Sequence, residues 1–450
     1  MRQLMLWFPY MIIRRSRAGR SAVVALLCTI ALGGGLSPLE RPALAQAAAA
    51  VSAGSGGVNR PEHLAKPSLV LVSFDGFRAD YLDRLALPNF RRVIARGVRA
   101  QALRPVFPAI TFPNHYSLVT GLYPGHHGIV ENSFFDPVRN AAYSFRDQKT
   151  ATDGTWYGGE PIWVTGESQG MVTACFFWPG SEAAIKGVRP TYWNKYDGSV
   201  SNAVRVARVL EWLRLPDASR PHLITLYFSD IDSASHRGPI EGHDVEKAVQ
   251  AMDAELGSLL DGIDALPARE QVILLLTSDH GMANTSAAQI VQLSSLVSTS
   301  NIRTSFDGPV AGLHVSGGPE SVRRVRDQLN AKLTNGRAYL RQDLPERYHL
   351  RETARAGDVI VVMNEGWILA TSIINRGLIQ DTWGAHGWDP DVASMRAIFL
   401  IAGPGIRKGV TIPEVENIDV YPLMTELLGL KPATGIDGRA GKISALIKEK

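Results

Sequence analysis

Continuous apolar runs recur along this chain at 69–74, 172–177, 223–228, 272–277 and 396–402, each bounded by turn-forming residues. A run apolar at both parities cannot leave one face in water, so each reads as a strand with helices above and below it. Segments of helical pattern lie between them, at Pro88–Arg96, Ser201–Leu213, Asp244–Ile263 and Pro422–Leu428. Strand and helix in alternation predict an α/β sandwich around a mostly parallel central sheet, with helices on both faces. Ligands of such sheets bind beyond the carboxyl ends of the strands. Asp75 follows the first run, Asp232 and His236 follow the third, and Asp279-His280 closes the fourth. Residues 299–380 break the rhythm and read as a smaller α+β lobe inserted in one catalytic domain spanning 67–445.

Those acids and histidines, with His386 between Gly384 and Gly387, form a candidate set of six metal ligands, and Thr111 adds a hydroxyl nucleophile. Carboxylate and imidazole ligands without thiolates suit a borderline-hard divalent ion such as zinc. Each residue also has an ordinary reading. Thr111 precedes a Pro-started helical stretch and could be a simple cap. Asp232 and His236, four apart, could be a surface pair, with Asp230 a rival ligand. His386 could be a turn histidine. Asp279-His280 is the hardest to explain away, because two ionisable groups after a long apolar run are costly to bury unless something binds them.

The first 45 residues read as a signal peptide: Arg14, Arg15, Arg17 and Arg20 precede an apolar run from Ala22 to Leu32, and Ala43-Leu44-Ala45 suits a cleavage site. The run is too short to span a bilayer, so no stable membrane span is expected after cleavage, although a retained anchor is the rival reading. The leader's six arginines and one glutamate carry +5 of the chain's net +4, which leaves the remainder near −1. No basic field is left to argue for duplex nucleic acid or an anionic membrane. Export to the periplasm or beyond is expected, and residues 46–66 read as a flexible link. Cys28 would leave with the leader, so Cys175 stands alone and no intrachain disulfide can form.

Eight segments in order carry a more specific signal: Leu71–Gly76, Thr111–His115, Gly128–Asn132, Gly159–Trp163, Phe177–Ser181, Asp232–His236, Thr277–Met282 and Gly384–Gly387. Together they resemble the nucleotide pyrophosphatase/phosphodiesterase family of the alkaline phosphatase superfamily, here a bacterial member, over about 67–430. The resemblance implies an alkaline-phosphatase-like sandwich and two Zn2+ ions. One ion would take Asp75, Thr111, Asp279 and His280; the other would take Asp232, His236 and His386. Thr111 would attack phosphorus to give a phosphothreonine ester, which water then hydrolyses. Asn132 would donate its amide to a phosphoryl oxygen alongside the Phe112 backbone N–H. One departure is Ser235, where the family usually has glycine.

The implied substrates are nucleotide phosphodiesters and pyrophosphates, such as nucleoside triphosphates and dinucleotides, cleaved to nucleoside 5′-monophosphates. Phe112 and Tyr227 match the aromatic positions that clamp the base, with Trp178, Glu182 and Tyr196 continuing the pocket. The alternatives are a choline or lysolipid phosphodiesterase, in which Glu182 and Trp178 would cage a quaternary ammonium, and a phosphate monoesterase. No arginine follows Thr111 closely, which favours a diester over a dianionic monoester, and no Cys/Ser-x-Pro-x-Arg segment supports a sulfatase.

Overall fold

A computed structural model describes residues 52–53, 57–267, 271–372, 381–439 and 441–448; the expected signal peptide lies outside them. Nine strands form the central sheet. In chain order they are β1 (Ser52–Ala53), β2 (Ser68–Phe74), β3 (Gly97–Ala100), β4 (Thr173–Phe176), β5 (Tyr192–Asn194), β6 (Leu223–Phe228), β7 (Val272–Thr277), β8 (Phe399–Ala402) and β9 (Val410–Ile412). In space they run β1-β5-β4-β6-β2-β7-β8-β3-β9. The middle of the sheet, from β5 to β7, is parallel, while β1 and β8 run antiparallel to their neighbours.

Every residue of β2 is buried. Leu69 and Leu71 enter the core on one face, and Val70, Val72 and Phe74 enter the core on the other. This two-residue alternation with both faces covered is what the apolar runs predict. The first face carries α2 (Thr111–Thr120) and α7 (Val420–Leu428); the second carries α1 (Pro88–Arg96), α3 (Asn202–Leu213) and α5 (His243–Asp264). Ser201 caps α3 by accepting from the Val204 N–H.

The lobe is a four-stranded antiparallel sheet in the order Ile302–Phe306, Val310–Val315, Val359–Met363, Gly336–Leu340, with α6 (Gly318–Lys332) packed on it. Its core is shared with Trp383, Trp388 and Met395, and with Ala109 two residues before Thr111. The lobe therefore braces both the loop before Thr111 and the segment that carries His386.

Part of the stretch expected as a link lies among the described residues. Asn59 is buried; its Nδ2 donates to the carbonyls of Asp217 and Arg220, and its Oδ1 accepts from the Val172 N–H. Ser52–Ala53 pairs with Tyr192–Trp193 at the sheet edge. One amide satisfying three backbone groups ties this stretch to the domain.

Candidate active and metal-binding site

The site forms where β2, β6 and β7 end. The Asp75 N–H donates to Phe228 O at 2.9 Å, and the Asp232 N–H donates to Asp75 O at 3.1 Å, so the two turns are sewn together by main chain. Gly76 (φ +73°) makes this approach possible, since a Cβ there would sit 3.1 Å from the Asp232 Cα. Its N–H donates to Asp279 Oδ1 at 3.2 Å. The short helix α4 (Asp230–Ser235) sets Asp232 and His236 one turn apart on one face. Ser235, the departure from glycine, is absorbed because its buried hydroxyl donates back to Ile231 O at 2.8 Å. Asp230 turns away to accept from Asn202 Nδ2.

Each of three histidines commits Nδ1 to a backbone carbonyl: His236 to Gly384 O at 2.9 Å, His280 to Gly281 O at 2.8 Å, and His386 to Ala109 O at 3.0 Å. A carbonyl can only accept, so Nδ1 carries the proton and the Nε2 lone pair faces the site. Those Nε2 atoms meet carboxylate oxygens. His236 Nε2 lies 3.1 Å and His386 Nε2 3.5 Å from Asp232 Oδ1. His280 Nε2 lies 3.0 Å from Asp279 Oδ2 and 3.6 Å from Asp75 Oδ1. The same three oxygens are buried without a hydrogen-bond donor.

Lone pairs turned on lone pairs in a buried space call for cations, so the donor set fits divalent metal ions. Among the described residues three groupings form: Asp232 with His236 and His386, Asp75 with Asp232 and His280, and Asp75 with His115 and Asp279. All six predicted ligands are thus brought together. The field agrees. Burial, then the charges of Asp279 and Asp232, push the Asp75 carboxyl well above its usual range. Burial, then His280, drive the His386 imidazole down to about 3, so it stays neutral and able to ligate.

Thr111 is the first residue of α2, where the helix dipole and free N–H groups favour negative charge. Its Oγ1 lies 3.3 Å from His280 Nε2. Buried Asn114 holds the preceding loop, its Nδ2 donating to the carbonyls of Pro108 and Ile110 at 2.9 Å each. Asn132 Oδ1 accepts the Phe112 N–H at 2.9 Å. The Phe112 N–H, expected to serve a phosphoryl oxygen alongside Asn132, thus donates to Asn132 in this structure. The bond fixes the Asn132 amide so that Nδ2 is the group left to donate.

His115 joins the cluster without having been predicted. It is buried one turn below Thr111, with Nδ1 2.9 Å from Thr111 O and 3.3 Å from Asp279 Oδ2, and Nε2 2.8 Å from Ser73 Oγ. Its i, i+4 spacing from Thr111 was the available signal.

The aromatic residues divide differently from expectation. Trp178 is 1 % exposed, and its Nε1 donates to His115 O, so it supports α2 from within the core and offers no face to a substrate. Tyr227 is also buried, with its hydroxyl donating to Asp75 Oδ2 at 2.6 Å. Tyr196, by contrast, is 46 % exposed and has its ring edge 5.1 Å from Phe177. Half-buried Phe112 leans on Phe145 at 5.1 Å. Glu182 Oε1 accepts from the Tyr196 N–H at 2.9 Å.

Comparison with known proteins gives the family. The family model described as type I phosphodiesterase/nucleotide pyrophosphatase matches residues 69–389. Human ectonucleotide pyrophosphatase/phosphodiesterase family member 1 is 38 % identical over 399 residues, covering 86 % of this chain and 42 % of the human protein. The venom phosphodiesterase CdcPDE of Crotalus durissus collilineatus is 36 % identical over 406 residues, covering 88 % of this chain and 48 % of its own length. The chain therefore spans less than half the length of these two relatives. A solved structure of murine ectonucleotide pyrophosphatase/phosphodiesterase 5, an inactive threonine-to-alanine variant in complex with AMP, superposes with a TM-score of 0.79 at 31 % identity, covering 85 % of this chain and 100 % of that one. With its α/β sandwich and its strand-end cluster of acids and histidines, this chain belongs to the type I phosphodiesterase/nucleotide pyrophosphatase family.

Proposed function

We propose that the protein hydrolyses nucleotide phosphodiesters and pyrophosphates to nucleoside 5′-monophosphates, with Thr111 as the nucleophile beside two zinc ions. The observation that carries this is the meeting of bare Nε2 atoms and donor-less carboxylate oxygens next to a hydroxyl at a helix N-terminus. Asp75, Asp279 and His280, with Thr111, would hold one ion; Asp232, His236 and His386 would hold the other. Bound there, such ions supply charge stabilisation for the attacking and leaving oxygens of an in-line displacement.

Thr111 Oγ1 forms a bond to phosphorus as the P–O bond to the leaving group breaks. The threonine proton passes to solvent, and the leaving oxygen keeps the electron pair of the broken P–O bond, takes a proton from solvent where it needs one, and departs as an alcohol or phosphate. Water then cleaves the phosphothreonine ester, releasing the nucleoside monophosphate and restoring the hydroxyl. Asn132 Nδ2 donates to a phosphoryl oxygen whose charge grows in each step. Phe112 and Tyr196 wall the base, with Phe145 extending the Phe112 side. Names of relatives support the substrate class and an exported location: two are ectonucleotide or venom phosphodiesterases, and the murine structure holds AMP. Among the described residues no helix is long and apolar enough to cross a membrane. Against the choline reading, Trp178 is buried and Glu182 Oε1 accepts from the Tyr196 N–H.

Thr111→Ala tests the nucleophile. Turnover of a nucleotide nitrophenyl diester should vanish while bound metal stays, because six ligands remain. Near-normal hydrolysis by that variant refutes the assignment.

A further inference from the structure

Asp75, like Asp279, has one oxygen held and one bare, but its held oxygen is taken by the hydroxyl of a distant side chain, whereas Asp279 Oδ1 accepts from the Gly76 N–H and the adjacent Ser278 hydroxyl. Asp75 Oδ2 accepts a 2.6 Å hydrogen bond from the Tyr227 hydroxyl. Oδ1 has no donor and lies 3.6 Å from His280 Nε2, within the grouping that also includes Asp232. Both residues are buried.

Tyr227 is itself held from several directions. Its strand β6 pairs with β2 so that Tyr227 lies opposite Ser73, two residues before Asp75. Its carbonyl accepts from buried Arg205 Nη1 at 3.0 Å. Its ring meets the His115 ring edge-on at 5.2 Å. A phenol fixed in this way has a single acceptor to reach, and that acceptor cannot swing without losing a short buried hydrogen bond.

We propose that Tyr227 is a positioning residue that ties down Asp75 Oδ2, so that the carboxylate presents Oδ1 alone to the metal. The inference rests on the metal reading given above. A ligand carboxylate without such a partner is free to rotate and to offer both oxygens, which weakens the preference for one geometry. Outer-shell partners of metal ligands are typically worth about 10–100-fold in metal affinity. Arg205 also donates to Val200 O at 3.1–3.2 Å, through Nη2 and Nε, on the turn that carries Tyr196. Tyr227 thus stands between the metal cluster and the exposed aromatic wall.

The test is zinc competition against a chromogenic chelator at fixed pH, using the full chain stripped of metal. Tyr227→Phe keeps the ring and removes only the hydroxyl. It should bind zinc about 10–100-fold more weakly, with an unchanged circular dichroism spectrum, whereas Tyr196→Phe should match the wild type. At saturating zinc the Tyr227→Phe protein should regain most of its turnover, a rescue that a folding defect would not allow. Wild-type zinc affinity in Tyr227→Phe overturns this proposal alone, as does a loss of turnover that zinc cannot restore. Failure of the wild type to take up zinc overturns the metal reading and this proposal with it.

Discussion

The ligand cluster and the aromatic slot lie side by side but are built in opposite ways. Asp75, Asp279 and His280 are at most 1 % exposed, sit at the ends of adjacent strands and are crossed by main-chain hydrogen bonds. Tyr196 is nearly half exposed, lies in a turn, and is held by a hydrogen bond to its backbone and by ring contacts with Phe177 and Tyr227. On the proposed function, the groups that would meet ions within tenths of an ångström come from the rigid sheet. The groups that would need only to cover a base come from a loop, where substitutions alter fit without disturbing the core.

Substitutions should separate the two regions. Within the cluster, Asp279→Ala removes a ligand and leaves its neighbours' lone pairs facing one another, so the loss in kcat should exceed the roughly 10²–10³ typical of a single oxyanion donor. A smaller loss, measured with zinc in excess, would show that the cluster is not the reaction centre. Asn132→Ala should cost that 10²–10³ in kcat with little change in metal content. An effect confined to KM would move Asn132 out of the reaction and into the slot.

In the slot, Tyr196→Ala should raise KM for nucleotide diesters by the roughly 1–3 kcal/mol of base–aromatic stacking. It should leave a small bis(nitrophenyl) diester unaffected, and equal effects on both substrates would remove Tyr196 from the base wall. The smallest effect concerns the support beneath α2. His127 is neutral in the fold, with Nδ1 accepting the Ile129 N–H and Nε2 2.9 Å from Ser117 Oγ. Burial drives it from 6.5 to about 3. Below pH 6.5 the unfolded chain therefore binds a proton that the fold refuses. Stability present above that pH is lost as pH falls towards 3, at up to about 1.4 kcal/mol per pH unit. Calorimetry of wild type and His127→Gln between pH 7 and 5 should show a shallower slope in the variant; equal slopes would contradict it.

The same contrast explains what could be read from sequence. Strand-end acids announce themselves, because an apolar run ending in Asp279-His280 has few other uses, and β2, β6 and β7 begin and end within a residue of their apolar runs. The aromatic assignments were harder, since residue type says nothing about which way a ring points. Tyr227 lies inside an apolar run and so was bound to be buried, whereas Asn194-Lys195-Tyr196-Asp197-Gly198-Ser199 has the composition of a solvent-facing turn. That difference would have favoured Tyr196 for the slot. The packing of residues 57–66 was illegible because it depends on Asn59 reaching the carbonyls of Asp217 and Arg220, far along the chain.

The most direct test of the central claim is a paired assay on the purified protein: nitrophenyl thymidine 5′-monophosphate against nitrophenyl phosphate, with chelator and after zinc is restored. A strong preference for the diester, abolished by chelation and recovered with zinc, is the predicted result. Preference for the monoester, or turnover indifferent to chelator, would contradict the account.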